Sequence, residues 1–169
     1  MAIFIHNACV LIDIANAGIT DAFAGLDGTL LTTDLVRAEI VDSAQKQIVD
    51  ALIASEALSM LKSSPEEMAA IAGLQRTNPV LSIPDCSVLF HAELRGAIIM
   101  TNEKALRGIA KANSVEVHGV LWLFDTLVKN GAVPGDDMAN RLELVRRRGS
   151  HLPEAECAKL IRAWCGRNA

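Results

Sequence analysis

Short apolar runs recur along this 169-residue chain, and segments of helical length separate them. Ala8-Cys9-Val10-Leu11-Ile12 is continuously apolar, so residues 8–13 are predicted to form a strand buried on both faces. Leu30-Leu31 between threonines, the segment 58–61, the segment 97–101 and the segment 115–118 follow as further strands, with 58–61 at an edge. Helices are expected over 15–24, 34–44, 47–56, 65–76, 84–95, 103–112, 120–129, 135–148 and 153–165. Ser64-Pro65-Glu66-Glu67 is the plainest start signal, combining a serine cap, a proline in the first turn and a glutamate three residues on. Asn130-Gly131 is a good stop. Strands alternating with helices imply an α/β fold with a parallel central sheet in three layers, α/β/α. Residues 1–130 would form the domain, and 131–169 a helical C-terminal extension packed on it.

Four acidic residues fall where predicted elements start or end. Asp13 closes the first apolar run, and Glu39 follows the second strand in Asp34-Leu35-Val36-Arg37-Ala38-Glu39. Asp85 opens a helix behind Pro84, and Glu103 follows Ile98-Ile99-Met100 in the turn Thr101-Asn102-Glu103. Strand ends and the helices after them meet on one rim of a parallel sheet, where ligands bind. Four carboxylates there would repel one another unless a hard cation such as Mg²⁺ or Mn²⁺ lay between them. Each acid also has a structural reading. Asp85 and Glu103 suit helix N-termini, and Glu39 suits a solvated helix face. Asp13 is hardest to explain away, because a charge ending an apolar strand needs a partner.

Bulk properties narrow the classes. Hydrophobic residues make up 51% and charged residues 21%, so the chain is globular. The net charge of −4 gives no overall basic field, although a local patch suffices for nucleic acid. Cys9, Cys86, Cys157 and Cys165 show no zinc spacing and fit a reducing compartment. No run reaches the ~18 apolar residues of a membrane span, so a soluble cytoplasmic protein is expected. His6, His91, His118 and His151 lack metal-ligand spacing, and no phosphate-binding glycine loop appears. Trp122 and Phe124 are expected in the core or at a dimer surface. Arg146-Arg147-Arg148 with Lys159, Arg162 and Arg167 is expected to be a solvated basic tail.

The set Val-Leu-Ile-Asp13, Leu-Val-Arg-Ala-Glu39-Ile, Leu-Ser-x-x-Asp85 and Ile-Ile-Met-Thr101-Asn-Glu103-Lys-Ala-Leu106, in that order, resembles a PIN domain over about residues 8–130. The resemblance implies a small α/β/α ribonuclease of the VapC toxin kind, cutting RNA with Mg²⁺ or Mn²⁺. It implies Asp13, Glu39, Asp85 and Glu103 as the catalytic and metal-binding acids, with Asp13 and Asp85 the principal ligands. Thr101 would support them, and Arg37, Lys104 and Arg107 would hold phosphate. RNA, a small antitoxin and a second copy in a homodimer are the implied partners. Two positions depart from the pattern: Ala15 stands where a hydroxyl or amide is usual, and Glu103 where aspartate is usual. Those departures sustain a rival, a non-catalytic PIN-like module binding nucleic acid or protein. A phosphotransfer receiver domain is a further rival, but it needs paired acids at the first site and Leu11-Ile12 precede Asp13 here.

Overall fold

The computed structural model describes residues 1–166; Arg167, counted above in the basic tail, lies outside them. Five strands form one all-parallel sheet: β1 (Ile3–His6), β2 (Thr29–Thr33), β3 (Ser59–Leu61), β4 (Ile98–Met100) and β5 (Val117–His118). Their order across the sheet is β3-β2-β1-β4-β5. Register is set from the centre, where Ile5 lies opposite Leu31 on one side and Ile99 on the other. Buried aliphatic residues on the central strands match the near-continuous apolar character of a parallel sheet covered on both faces.

Ten helices are described. The first four are α1 (Ala8–Ala17), α2 (Thr20–Ala24), α3 (Asp34–Glu39) and α4 (Ser43–Ala54). Then come α5 (Pro65–Thr77), α6 (Ile83–Arg95) and α7 (Lys104–Ala112). The chain closes with α8 (Val120–Lys129), α9 (Gly135–Arg147) and α10 (Glu154–Gly166). Helix α6 lies against β1, β2 and β4 with α3, α5 and α7 beside it, while α1 packs with α4, α8 and α9.

The first apolar run is not a strand. Residues 8–13 lie in α1, and the first strand is the shorter Ile3–His6 before them. The Asn7 side chain accepts from the Ala8 amide as N-cap, and Gly18 closes the helix at φ 66°, a left-handed conformation that glycine adopts without strain. An apolar run of this length fits a helix buried all round as well as a buried strand, and caps at both ends decide for the helix. The predicted helix 34–44 is also interrupted. Ile40 is extended and buried, and Asp42 starts α4 by accepting from the Gln45 amide.

The C-terminal helices are tied to the rest. Arg141 donates to the carbonyls of Ala17 (2.7 Å) and Gly18 (3.0 Å), satisfying the end of α1. Trp164 on α10 is 1% exposed and donates its indole N–H to Asp125 on α8 at 3.1 Å. The loop between α9 and α10 returns over the carboxyl ends of the strands, bringing Ser150 to Asp13.

Candidate functional site at the carboxyl rim of the sheet

Asn7, one residue beyond β1, is the hub of the rim. It is 3% exposed and fully bonded. Its backbone amide donates to Met100 at 2.9 Å, and its side-chain oxygen caps α1. Its side-chain amide donates to Asp85 Oδ1 at 3.0 Å and Thr101 Oγ1 at 3.2 Å. One neutral side chain thus joins β1, α1, α6 and the β4–α7 turn. Asn7 escapes a reading of acids alone, because the strand expected to end at Asp13 ends at His6, seven residues earlier. An asparagine directly before an apolar run is the signal that finds it, since that is a helix cap.

Asp85 serves two ends. It completes a capping box on α6: its Oδ2 accepts from the Ser82 amide, and its own amide donates to Ser82 Oγ. Its other oxygen faces Asn7. Thr101 is fully buried, and its hydroxyl accepts from Asn7 and from the Glu103 amide at 3.1 Å. It therefore holds the turn that carries Glu103. Glu103 is exposed at the N-cap position of α7 and makes no capping bond. Asn102 ties the turn to two other elements. Its amide donates to Asp13 at 2.9 Å, and its oxygen accepts from the Val120 amide at the start of α8.

Of the four predicted acids, Glu39 lies within electrostatic reach of Asp85 and Glu103, and Asp13 lines one cavity with Glu103. Glu39 ends α3 exposed at the rim, and its proton affinity is raised by partial desolvation first, then by the charges of Asp85 and Glu103. Asp13 does not end a strand. It sits within α1, 3% exposed, with Oδ2 accepting from Asn102 and from Ser150 (3.0 Å). Burial pushes its carboxyl up to about 6, against the opposing pull of those two donors. Its partner, required by its burial, is a pair of neutral donors.

Among the described residues, no three His, Cys, Asp or Glu side chains stand close enough together to form a ready-made metal cage. The donor chemistry of Glu39, Asp85 and Glu103 nevertheless suits a hard cation, since all three offer carboxylate oxygens and Glu39 lies within electrostatic reach of the other two. Asp13, its Oδ2 engaged by Asn102 and Ser150, lines one cavity with Glu103.

Of the predicted phosphate holders, Arg37 is engaged by Asp50, donating from Nη2 at 2.7 Å, and so is not a free anchor. Lys104 is exposed in the first turn of α7. Arg107 donates to the Thr101 carbonyl at 3.0 Å and lines a cavity of about 250 Å³ beside the acids. A second cavity, of about 360 Å³, contains Asp13, Glu103 and Arg148. Of the histidines, His6 is buried and held near 4 by desolvation, bonded to the Leu31 carbonyl. His91 is buried between Ser63 and Arg95. Phe124 is in the core, one of the two places expected for the pair; Trp122 is 37% exposed and stacked on His118. No helix among the described residues is long and apolar enough to cross a membrane.

The fold has solved relatives. A chain of the VapBC2 complex of Rickettsia felis, solved with a DNA fragment from its promoter, superposes with a TM-score of 0.50 at 14% identity, covering 69% of this chain and 98% of that one. The protein PAE2754 of Pyrobaculum aerophilum superposes with a TM-score of 0.55 at 18% identity, covering 79% of this chain and all of that one, 100%. No curated protein sequence matches the chain. A family model described as PIN domain matches residues 3–165. That span takes in the whole sheet, the rim and both C-terminal helices nearly to the end, and the chain belongs to the PIN-domain family.

Proposed function

We propose that this protein is a Mg²⁺- or Mn²⁺-dependent endoribonuclease, the toxin of a toxin–antitoxin pair. The observation that carries the reading is the PIN-domain fold with acids at its element ends: Glu39 at the end of α3, Asp85 in the first turn of α6 and Glu103 just beyond β4. These three would hold the ion. A bound divalent ion supplies an activated water and neutralises charge on the phosphate. The chain's own residues do the positioning. Asn7 orients Asp85, Thr101 fixes the turn of Glu103, and Asp13 steadies that turn through Asn102. Arg107 and Lys104 lie on the same turn and helix and meet the phosphate backbone. The likeness to a chain of a VapBC complex supports a small antitoxin as partner. A homodimer is the proposed resting form.

One contact favours a second reading, a non-catalytic PIN module. Asn7 gives Asp85 a neutral donor where the end of β1 would otherwise carry charge, which lessens the need for a cation. Two measurements on the same proteins decide. Purified protein should cut RNA with Mn²⁺ and stop with chelator, and Asp85→Asn should remove nearly all activity. Ser82→Ala breaks the α6 cap but leaves the carboxylate, so it should still cut. Millimolar Mn²⁺ should raise the melting temperature of the parent, because an ion that binds only the folded state shifts the equilibrium by mass action. It should raise that of Asp85→Asn far less. Equal Mn²⁺ responses in the two proteins, with no cleavage by the parent, would establish the non-catalytic module instead.

A further inference from the structure

The two cavities on the rim share walls. Asn102 and His151 line both the cavity that holds Asp13 and Glu103 and the one that runs on past Arg107 to His118 and Trp122. The two cavities thus lie side by side, the acids lining one and an aromatic pair the other. The His118 and Trp122 rings are stacked, with centroids 4.2 Å apart and planes 13° from parallel. Helix α8 explains why Trp122 is conspicuous: Val120, Leu121, Leu123, Phe124 and Leu127 are buried, and Trp122 alone of the Leu-Trp-Leu-Phe run is exposed. Phe4 braces it with a tilted contact at 6.0 Å. An exposed indole held rigid on one side costs little conformational entropy when a ligand packs on it.

The floor between the pair and the acids is shaped by Gly119. A Cβ there would lie 2.8 Å from Asn102 Oδ1 and 3.3 Å from Arg107 Nη1. Glycine thus lets the Asn102 amide and the Arg107 guanidinium converge beside the aromatic pair. The cavity then offers the Arg107 guanidinium and a ring stack, with Glu156 on its wall and Glu116 holding His118 at 2.8 Å, and the cavity beside it holds Asp13 and Glu103. That arrangement matches a single strand of nucleic acid, with a phosphate at Arg107 and an unpaired base on the rings. A duplex does not fit this chemistry, because its bases are already stacked on one another.

We infer that His118 and Trp122 form a base-stacking subsite for a nucleotide flanking the cleaved phosphate of single-stranded RNA. The inference rests on the ribonuclease reading, but its test does not need cleavage. A 5′-labelled single-stranded RNA dodecamer of uridines is titrated with the full-length protein in EDTA, and anisotropy reports binding. His118→Ala and Trp122→Leu should each weaken binding roughly tenfold, the scale of one lost base–aromatic stack. His118→Phe keeps a ring and should bind within about twofold of the parent, which separates stacking from a folding defect. Trp164 is buried, so quenching of tryptophan emission in the parent reads Trp122 and should follow the same isotherm. A blunt duplex of the same length should bind more weakly, and a DNA dodecamer shows whether the sugar matters. The inference is overturned if all three variants bind like the parent, if His118→Phe is as weak as His118→Ala while melting normally, or if the RNA does not bind. Binding that depends on the pair, in a protein that never cuts RNA with Mn²⁺, would keep the subsite and refute the nuclease. Cleavage with Mn²⁺ that ignores both rings would do the reverse.

Discussion

Asp13 shows how far one burial decides a residue's behaviour. Its carboxyl has a pKa of about 6 in the folded protein against 3.8 as a free side chain, chiefly from desolvation. The folded state therefore holds this proton more tightly than the unfolded state. Its contribution favours folding fully below about pH 4 and is lost as the pH rises through 6. At neutral pH the gap amounts to roughly 3 kcal/mol. Asp13→Asn, whose side-chain oxygen can still accept from Asn102 and Ser150, is expected to be more stable than the parent at pH 7.5, with the advantage shrinking to near zero by pH 4. Urea midpoints at the two pH values check this. An advantage equal at both would mean that relief of buried charge is not the cause.

At the scale of elements, the rim is organised by junctions. The β5–α8 junction works because Gly119 leaves room for Asn102, which bonds Asp13 with one end of its amide and the first turn of α8 with the other. Gly119→Ala puts a methyl against an oxygen that two bonds hold in place. The backbone there, at φ −107°, is open to alanine, so the effect is one of packing. A loss of about 1–3 kcal/mol is expected, in the range for overpacking. Chemical denaturation measures it, and an unchanged midpoint would show that Asn102 moves aside freely. The α5 capping box is a simpler case. It forms as Ser64 and Glu67 imply, both bonds being present at 3.1 and 2.8 Å.

For the whole molecule, the C-terminal helices close the structure over the site instead of trailing from it. Trp164 on α10 is buried against α8 and α9; a Cβ on Gly135, at the start of α9, would fall 2.5 Å from the Trp164 carbonyl. The α9–α10 loop supplies Ser150 to Asp13 and His151 to both cavities. Trp164→Ala is expected to cost about 3–5 kcal/mol. Calorimetry should show one transition shifted downward as a unit. A separate low-temperature transition in the parent would mean that α9 and α10 fold independently of the sheet.

The alternation of strands and helices, the parallel class of the sheet, the edge strand at 58–61 and the caps at Ser64, Ser82 and Gly131 were legible in the chain, because they depend on spacing and on residues within a turn of one another. The positions of Asp85, in the first turn of α6, and of Glu103, just beyond β4, were legible for the same reason, whereas Glu39 falls at the last residue of α3. What the apolar run Ala8-Cys9-Val10-Leu11-Ile12 could not decide by itself was whether it is extended or coiled. Burial on all sides erases the polar–apolar periodicity that separates the two, and the caps at Asn7 and Gly18, with packing of α1 against α4, α8 and α9, resolve it. That choice moved the strand end from Asp13 to Asn7 and sent Asp13 to Asn102 and Ser150, 89 and 137 residues away in sequence. The stacking of Trp122 on His118 and the diversion of Arg37 to Asp50 were likewise set by tertiary structure. Local residue chemistry selects the elements, but which side chains meet across a rim depends on how those elements pack.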